Sequence, residues 1–392
     1  MKVAIFTTND LTEHNAASNV VSGPLKHFGK FKSLEIDLFA PNDIPSELKN
    51  YLKYRRYTTY DTSILRFLSG FSAIPKLLTG NYDLYHCFGE KAVSLLLIAQ
   101  IIKRKKSPIL YSWFEISRTV DIETKILGKK TLRNRIIRQL KNVRRNLALK
   151  HTHALVAPTE AFREYLIKHN IYGKEILVIP WGIDLELFGR NHQKDQRIIN
   201  KMGLENKKVI MYAGEITALH GVLDLVKAVE IINNKVDNVA LLIVGDGSWA
   251  PMVKEYVKKN QIKNVFFTGR VPRKDLPRYH SIADVLVIPH IRRIDTDLVF
   301  PSKLLEYLAS GKPIVSSNLK ATSDVVGDNA ILVEPENPSA FADGILELIN
   351  NERLAKKLAE NGRKIIYNYS WEEIAKKTYK AYRDLVFSNE KF

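Results

Sequence analysis

The sequence predicts an α/β protein of two domains, each built on a parallel sheet covered by helices. Three observations support this. Short β-branched runs alternate with helical patterns along nearly the whole chain, which is how helix-connected parallel strands are encoded. At 392 residues the chain exceeds the size at which one hydrophobic core stops growing. The alternation also restarts near residue 190, after Gly189-Arg-Asn-His-Gln-Lys-Asp195, a polar composition suited to a linker.

Taken in order, the expected strands of the first domain are Val3–Thr7, Leu34–Phe39, Leu84–Cys87, Ile109–Trp113, Ala154–Ala157 and Ile176–Ile179. Those of the second are Val209–Ala213, Leu241–Val244, Val265–Thr268, Val285–Ile288, Ile314–Ser317 and Ile331–Val333. In open parallel sheets ligands bind beyond the carboxyl ends of the strands, so two facing sheets would place a site in the cleft between them. The chemistry is therefore sought in the loops that follow strands.

Composition narrows the class. Apolar residues make up 45% and charged residues 26% of the chain, ordinary for a globular protein. The longest apolar run, Ala92 to Ile102, is shorter than the ~20 residues that cross a bilayer. The first residues read as a strand rather than a signal peptide, and with Cys87 as the only cysteine no intrachain disulfide can form. A reducing, cytoplasmic setting is expected.

The net charge of +18 is uneven. Residues 125–150 hold ten Lys/Arg and no Asp/Glu. Leu132, Ile136, Leu140, Val143 and Leu147 recur there at helical spacing beside Arg133, Arg138, Lys141, Arg144 and Arg145. That is a basic amphipathic helix. It fits either peripheral contact with an anionic membrane or a core-facing helix with a solvated basic back. Nucleic acid is not the expected partner, because no aromatic residues interleave the charges.

Three glycine loops follow second-domain strands: Gly214-Glu-Ile-Thr-Ala-Leu-His-Gly221, Val244-Gly-Asp-Gly-Ser248 and Phe267-Thr-Gly-Arg-Val-Pro272. Glycine allows a ligand close to the backbone, and a helix opening at Gly221 would aim amides at an anion; ordinary turn chemistry explains the same residues. The most informative stretch is Phe300-Pro-Ser-Lys-Leu-Leu-Glu306. Pro301 and Ser302 look like a helix start, so amides near Ser302 to Leu304 could meet a phosphate. Lys303 adds a mobile charge, and Glu306, three residues on, shares its helical face and could bind a ribose diol. A plain surface Lys–Glu pair is the competing account.

These residues resemble the family 4 retaining glycosyltransferases, whose GT-B fold sets two Rossmann-like domains face to face. The markers are Val178-Ile-Pro-Trp-Gly-Ile-Asp184 with Phe188, the three glycine loops, Ala283-Asp-Val-Leu-Val-Ile-Pro289 and Pro301-Ser-Lys-Leu-Leu-Glu-Tyr-Leu-Ala-Ser-Gly-Lys-Pro313. The resemblance implies an acceptor-side domain at 1–189, a donor domain at 190–370 and a helix at 371–392 that returns to the first domain. It implies a nucleotide-sugar as substrate rather than cofactor, and no metal. Donor contacts would come from Gly214, Glu215, His220, Gly245, Gly247, Gly269, Arg270, Val271, Ser302, Lys303, Leu304 and Glu306.

Three departures from the family pattern matter. Leu298 stands where a second carboxylate is common, with Asp295 and Asp297 off register. Glu215 and His220 replace the glycine loop's usual basic pair. Phe114 replaces a frequent histidine, with Glu115 beside it. They resemble a subgroup with a Pro-Ser-Lys element before the glutamate, in which Lys303 neutralises the diphosphate, with Arg270, Arg292 and Arg293 as auxiliaries. Lys303, Glu306 and Glu115 are the candidate catalytic residues. Asn15, Ala16, Ala17, Ser18 and Asn19 would face the acceptor, a glycan or a lipid-linked molecule at a membrane surface. Of the histidines, His86, His220 and His290 stand near strand ends, where a packing role is expected. The alternatives are a sugar-nucleotide 2-epimerase of the same fold, or a non-enzymatic basic membrane- or nucleic-acid-binding protein.

Overall fold

The structure is a computed structural model that describes residues 1–11, 16–58, 70–104, 107–113, 132–190, 192–299 and 302–389. It divides into two compact units: residues 1–182 together with those from Trp371 onward, and residues 183–370.

In the first unit seven parallel strands lie in the order β3-β2-β1-β4-β5-β6-β7. They are β1 Lys2–Thr7, β2 Glu35–Ala40, β3 Lys53–Arg56, β4 Leu84–Phe88, β5 Ile109–Ser112, β6 Ala154–Ala157 and β7 Glu175–Val178. Strands β1, β4, β5 and β6 are buried almost throughout, which accounts for their continuous apolar text. Strand β3 was not expected from the sequence. It reads Lys-Tyr-Arg-Arg, pairs only with β2, and carries the charge that shields an edge strand from further pairing.

The helix Trp371–Asn389 packs against the helix Ala16–Phe28 in this unit. Phe31 and Tyr379 stack at 4.3 Å, and the Tyr382 hydroxyl meets His86 Nδ1 at 2.7 Å. Gly23 and Gly182 leave space for the Trp371 indole, since a Cβ on either would come within 2.4 Å of the ring. His86 also meets Ser112 Oγ at 2.7 Å, and burial holds its imidazole down to about 3, so it packs as a neutral ring.

The basic segment forms the helix Leu132–His151. Of its apolar stripe, Leu140, Val143 and Leu147 are 45%, 56% and 44% exposed, so these three do not face a core within the unit. The helix packs inward instead through Ala148 and Leu149, with Arg145 over the Trp113 ring at 5.9 Å. Among the described residues no helix is long and apolar enough to cross a membrane.

In the second unit six parallel strands follow the order β10-β9-β8-β11-β12-β13. These are β8 Lys208–Ala213, β9 Val239–Val244, β10 Val265–Gly269, β11 Val285–Ile288, β12 Ile314–Ser317 and β13 Ile331–Val333. The core joins Ile210, Tyr212, Leu241 and Ile243 of the sheet to Val226 and Phe341 of the covering helices.

Candidate functional site

The strand order of the second unit reverses between β8 and β11, because β9 and β10 are added on one side of β8 and β12 and β13 on the other. The loops leaving β8 and β11 therefore diverge to opposite faces and open a crevice at the carboxyl end of the sheet. Gly214 follows β8, Gly245 follows β9 and Gly269 ends β10, so three neighbouring strands end in glycine. Gly214 N donates to Val244 O and Gly245 N to Gly269 O, both at 2.9 Å, which joins the three into one side-chain-free rim. The rim is obligatory at Gly245, where a Cβ would lie 1.9 Å from Gly214 O. Gly221, at φ 59°, lets the β8 loop close over β11, because a Cβ there would be 1.7 Å from Pro289 O.

Lys303 and Glu306 reach this crevice from the helix Ser302–Ser310. The helix is fixed from beneath by buried Leu304, Leu305, Tyr307 and Leu308. The Tyr307 hydroxyl accepts from Ala213 N at 2.7 Å, which ties the helix to the end of β8. Lys303 Nζ donates to the Tyr212 hydroxyl at 2.9 Å and lies 4.5 Å from the centre of that ring. Tyr212 in turn donates to Glu215 O at 2.6 Å. A Cβ on Gly214 would come 2.7 Å from Lys303 Nζ, so the glycine is what admits the ammonium to the rim.

Electrostatics set the charge states. Burial pushes the Lys303 ammonium down to about 7, against the pull of Glu306 and Glu215. Burial raises the Glu306 carboxyl, opposed by the Arg273 guanidinium, whose Nη2 donates to Glu306 Oε1 at 3.2 Å. Arg273 is itself stacked over Phe188 at 4.8 Å. His220 and His290 lie 4.9 Å apart near Lys303, and burial, helped by the lysine, holds both far below the ordinary imidazole range. Both rings are neutral near neutral pH. His220 Nδ1 pairs with Thr217 Oγ1 at 2.9 Å, so His220 does not supply the positive charge that the family's basic pair would.

The other expected residues divide clearly. Ser302 is exposed where its helix begins, and amides of a first helical turn have no carbonyl one turn back. Leu304 is fully buried, so its side chain packs inward and is withdrawn from a ligand. Glu215 and Arg270 are exposed, and Val271 and Gly247 half-buried, all on loops beyond β8, β9 and β10. Arg292 and Arg293 are paired with Glu334 at 3.3 Å and Glu336 at 3.7 Å, away from the glycine rim. Asp297 caps another helix by accepting from Lys320 N at 2.9 Å, and Asp295 is buried. Among the described residues no cluster of three or more His, Cys, Asp or Glu is placed to hold a metal ion.

In the first unit Ala16 opens a helix, with Ala17, Ser18 and Asn19 in its first turn. Ser18 is buried, so its side chain is withdrawn from any ligand. Glu115, Asn15, Phe300 and Pro301 lie outside the described residues. Sequence reasoning missed Arg273 and Tyr212. Arg273 is offset from the glycine loop on a short 3-10 turn, and Tyr212 reads as an ordinary strand aromatic.

Comparison with known proteins agrees with this architecture. Residues 5–187 match the model of Glycosyltransferase Family 4, and residues 194–365 that of Glycosyl transferases group 1. An uncharacterized glycosyltransferase of Methanocaldococcus jannaschii is 27% identical over 208 residues, covering 52% of this chain and 51% of that protein. The GDP-mannose-dependent alpha-(1-6)-phosphatidylinositol monomannoside mannosyltransferase of Mycobacterium tuberculosis is 25% identical over 209 residues, 51% of this chain and 53% of that protein. The chain spans about half the length of these curated relatives. Anabaena HepE, solved in complex with UDP, superposes with a TM-score of 0.74 at 18% identity, covering 98% of this chain and 100% of that one. At that identity the likeness shows the fold, which is GT-B.

Proposed function

We propose, from the match of each half of the chain to a glycosyltransferase family model, that the protein moves a hexosyl unit from a nucleotide diphosphate sugar to a hydroxyl, retaining the anomeric configuration. The observation that supports this most is the Lys303 ammonium held against a glycine rim, one helical turn before a carboxylate steadied by arginine. As the glycosidic bond breaks, negative charge builds on the departing diphosphate. Lys303 and the first amides of its helix are preorganised donors for that charge. Glu306 accepts hydrogen bonds from the ribose hydroxyls, and Gly269 to Val271 border the base. With Glu215 and His220 in place of a basic pair, the Pro-Ser-Lys element takes over neutralisation of the diphosphate.

The acceptor in this reading is lipid-linked or lies at the cytoplasmic membrane surface, and it meets the segment of Asn15, Ala16, Ala17 and Asn19 in the first unit, with Glu115 as the candidate to take a hydroxyl proton. Incubating the protein with nucleotide-sugars, with and without lipid-linked and glycan acceptors, tests the reading. A transferase releases nucleotide diphosphate in an acceptor-dependent way, and NMR of the product reports its anomeric configuration. Conversion of the donor sugar without any acceptor supports the 2-epimerase instead.

Arg273 gives a separate prediction. In Arg273→Gln the Glu306 carboxyl loses its opposing charge and rises further, so affinity for the nucleotide-sugar falls by about tenfold, the scale of one charge-assisted hydrogen bond. Binding of inorganic pyrophosphate, which has no ribose, stays as in the wild type. Calorimetric titration of both ligands measures the difference.

A further inference from the structure

Two neighbouring helices of the first unit turn apolar side chains outward. In the helix Glu90–Lys103, Val93, Leu96 and Ala99 are buried, while Ile98, Ile101 and Ile102 are 38%, 76% and 58% exposed. In the helix Leu132–His151 the exposed large apolar residues, among those described, are Leu140, Val143 and Leu147. Each set falls on one face at spacings of three and four. The two helices pack against each other. Each also ends just before the next parallel strand, β5 or β6, so Ile101 and Leu147 lie toward the same end of the sheet. Side chains scattered singly over a surface need no explanation, but six branched or long apolar groups on two packed helices form a patch that calls for a partner.

Charge selects the partner. The helix Leu132–His151 contains seven Lys/Arg and no Asp/Glu, and the exposed isoleucines run directly into Lys103 and Arg104 at the end of theirs. A second copy of the chain would bring the same positive excess to the contact and be repelled. A nucleic acid would leave the isoleucines without a function, and no aromatic residue lies between Leu132 and His151 for bases to stack on. An anionic bilayer satisfies both halves of the patch, since its acyl boundary takes the apolar groups and its phosphates take the cations. We propose that this two-helix face lies in the headgroup region of an anionic leaflet, with Ile101, Ile102, Val143 and Leu147 entering the acyl boundary. The proposal deepens the membrane-surface reading of the acceptor above. It is tested without donor or acceptor, so either reading can fail alone.

The experiment is co-sedimentation of the full chain with phosphatidylcholine vesicles, with and without phosphatidylglycerol. Ile101→Asp/Val143→Asp and Arg104→Glu/Lys150→Glu are compared with the wild type. All four positions are exposed, and circular dichroism confirms that each variant is folded. The wild type is expected to sediment with the anionic vesicles only, less so at high salt. Each double variant is expected to bind at least about tenfold more weakly, because burial of several methylenes or two headgroup contacts is lost. Wild-type protein that stays in the supernatant overturns the proposal, and so does an unchanged Ile101→Asp/Val143→Asp variant. A concentration-dependent dimer in light scattering, abolished by those aspartates and accompanied by no vesicle binding, assigns the face to a second copy and also overturns it.

Discussion

Replacing Lys303 by alanine lowers turnover of the nucleotide-sugar by roughly 100- to 1000-fold, the scale of removing one preorganised donor from a developing oxyanion. The expectation rests on where the ammonium sits. It is held 2.9 Å from the Tyr212 hydroxyl, at the one strand end whose missing Cβ admits it. Of the other candidate cations, His220 and His290 are neutral, Arg292 and Arg293 are paired with Glu334 and Glu336, and Arg270 is exposed on the loop assigned to the base rather than to the diphosphate. The same crowding predicts that Lys303→Arg recovers little activity. A guanidinium is larger than the space left by Gly214 and Tyr212, and it would push the donor off the rim. Steady-state kinetics of the three proteins, with thermal melting as a control for folding, measures this.

The second large effect is on pH dependence. In the empty protein Lys303 titrates at about 7 because burial disfavours its charge. A bound diphosphate favours the charged form and raises that value, so binding takes up a proton. Affinity is therefore full below pH 7 and falls by up to about tenfold per pH unit above it, until the pKa of the complex is reached. Stability of the empty protein has the opposite sign. The unfolded lysine keeps its proton up to its ordinary 10.5 and the folded one does not, so Lys303 makes the empty fold more stable as pH rises through that window. Calorimetric titration between about pH 6 and about pH 9, in buffers of different ionisation enthalpy, separates proton uptake from intrinsic binding. In Lys303→Ala the dependence on this group disappears from both affinity and stability.

Why some of this was legible in the sequence and some was not follows from the residues. Parallel strands buried on both faces require continuous apolar text, so β1, β8, β9 and β11 announced themselves. Strand β3 did not, because an edge strand is free to be charged, and Lys53–Arg56 uses that freedom. The neighbourhood of Lys303 and Glu306 was readable because helical spacing alone puts them on one face. Arg273 was not. Its pairing with Glu306 bridges 33 positions and depends on how a short turn folds against another helix, which no local pattern encodes. The direction of the apolar stripe on Leu132–His151 was open for the same reason. Periodicity shows that a stripe exists, and packing decides whether it faces a core.

In the proposed function Lys303 holds the diphosphate and Glu306 the ribose of one nucleotide-sugar. Calorimetric titration with UDP-, GDP-, ADP- and dTDP-sugars tests it most directly, applied to the wild type, Lys303→Ala and Glu306→Ala. At least one of these ligands is expected to bind the wild type, and both variants are expected to bind it more weakly. A wild type that binds none of them, or variants that bind as tightly as the wild type, would contradict the proposed function.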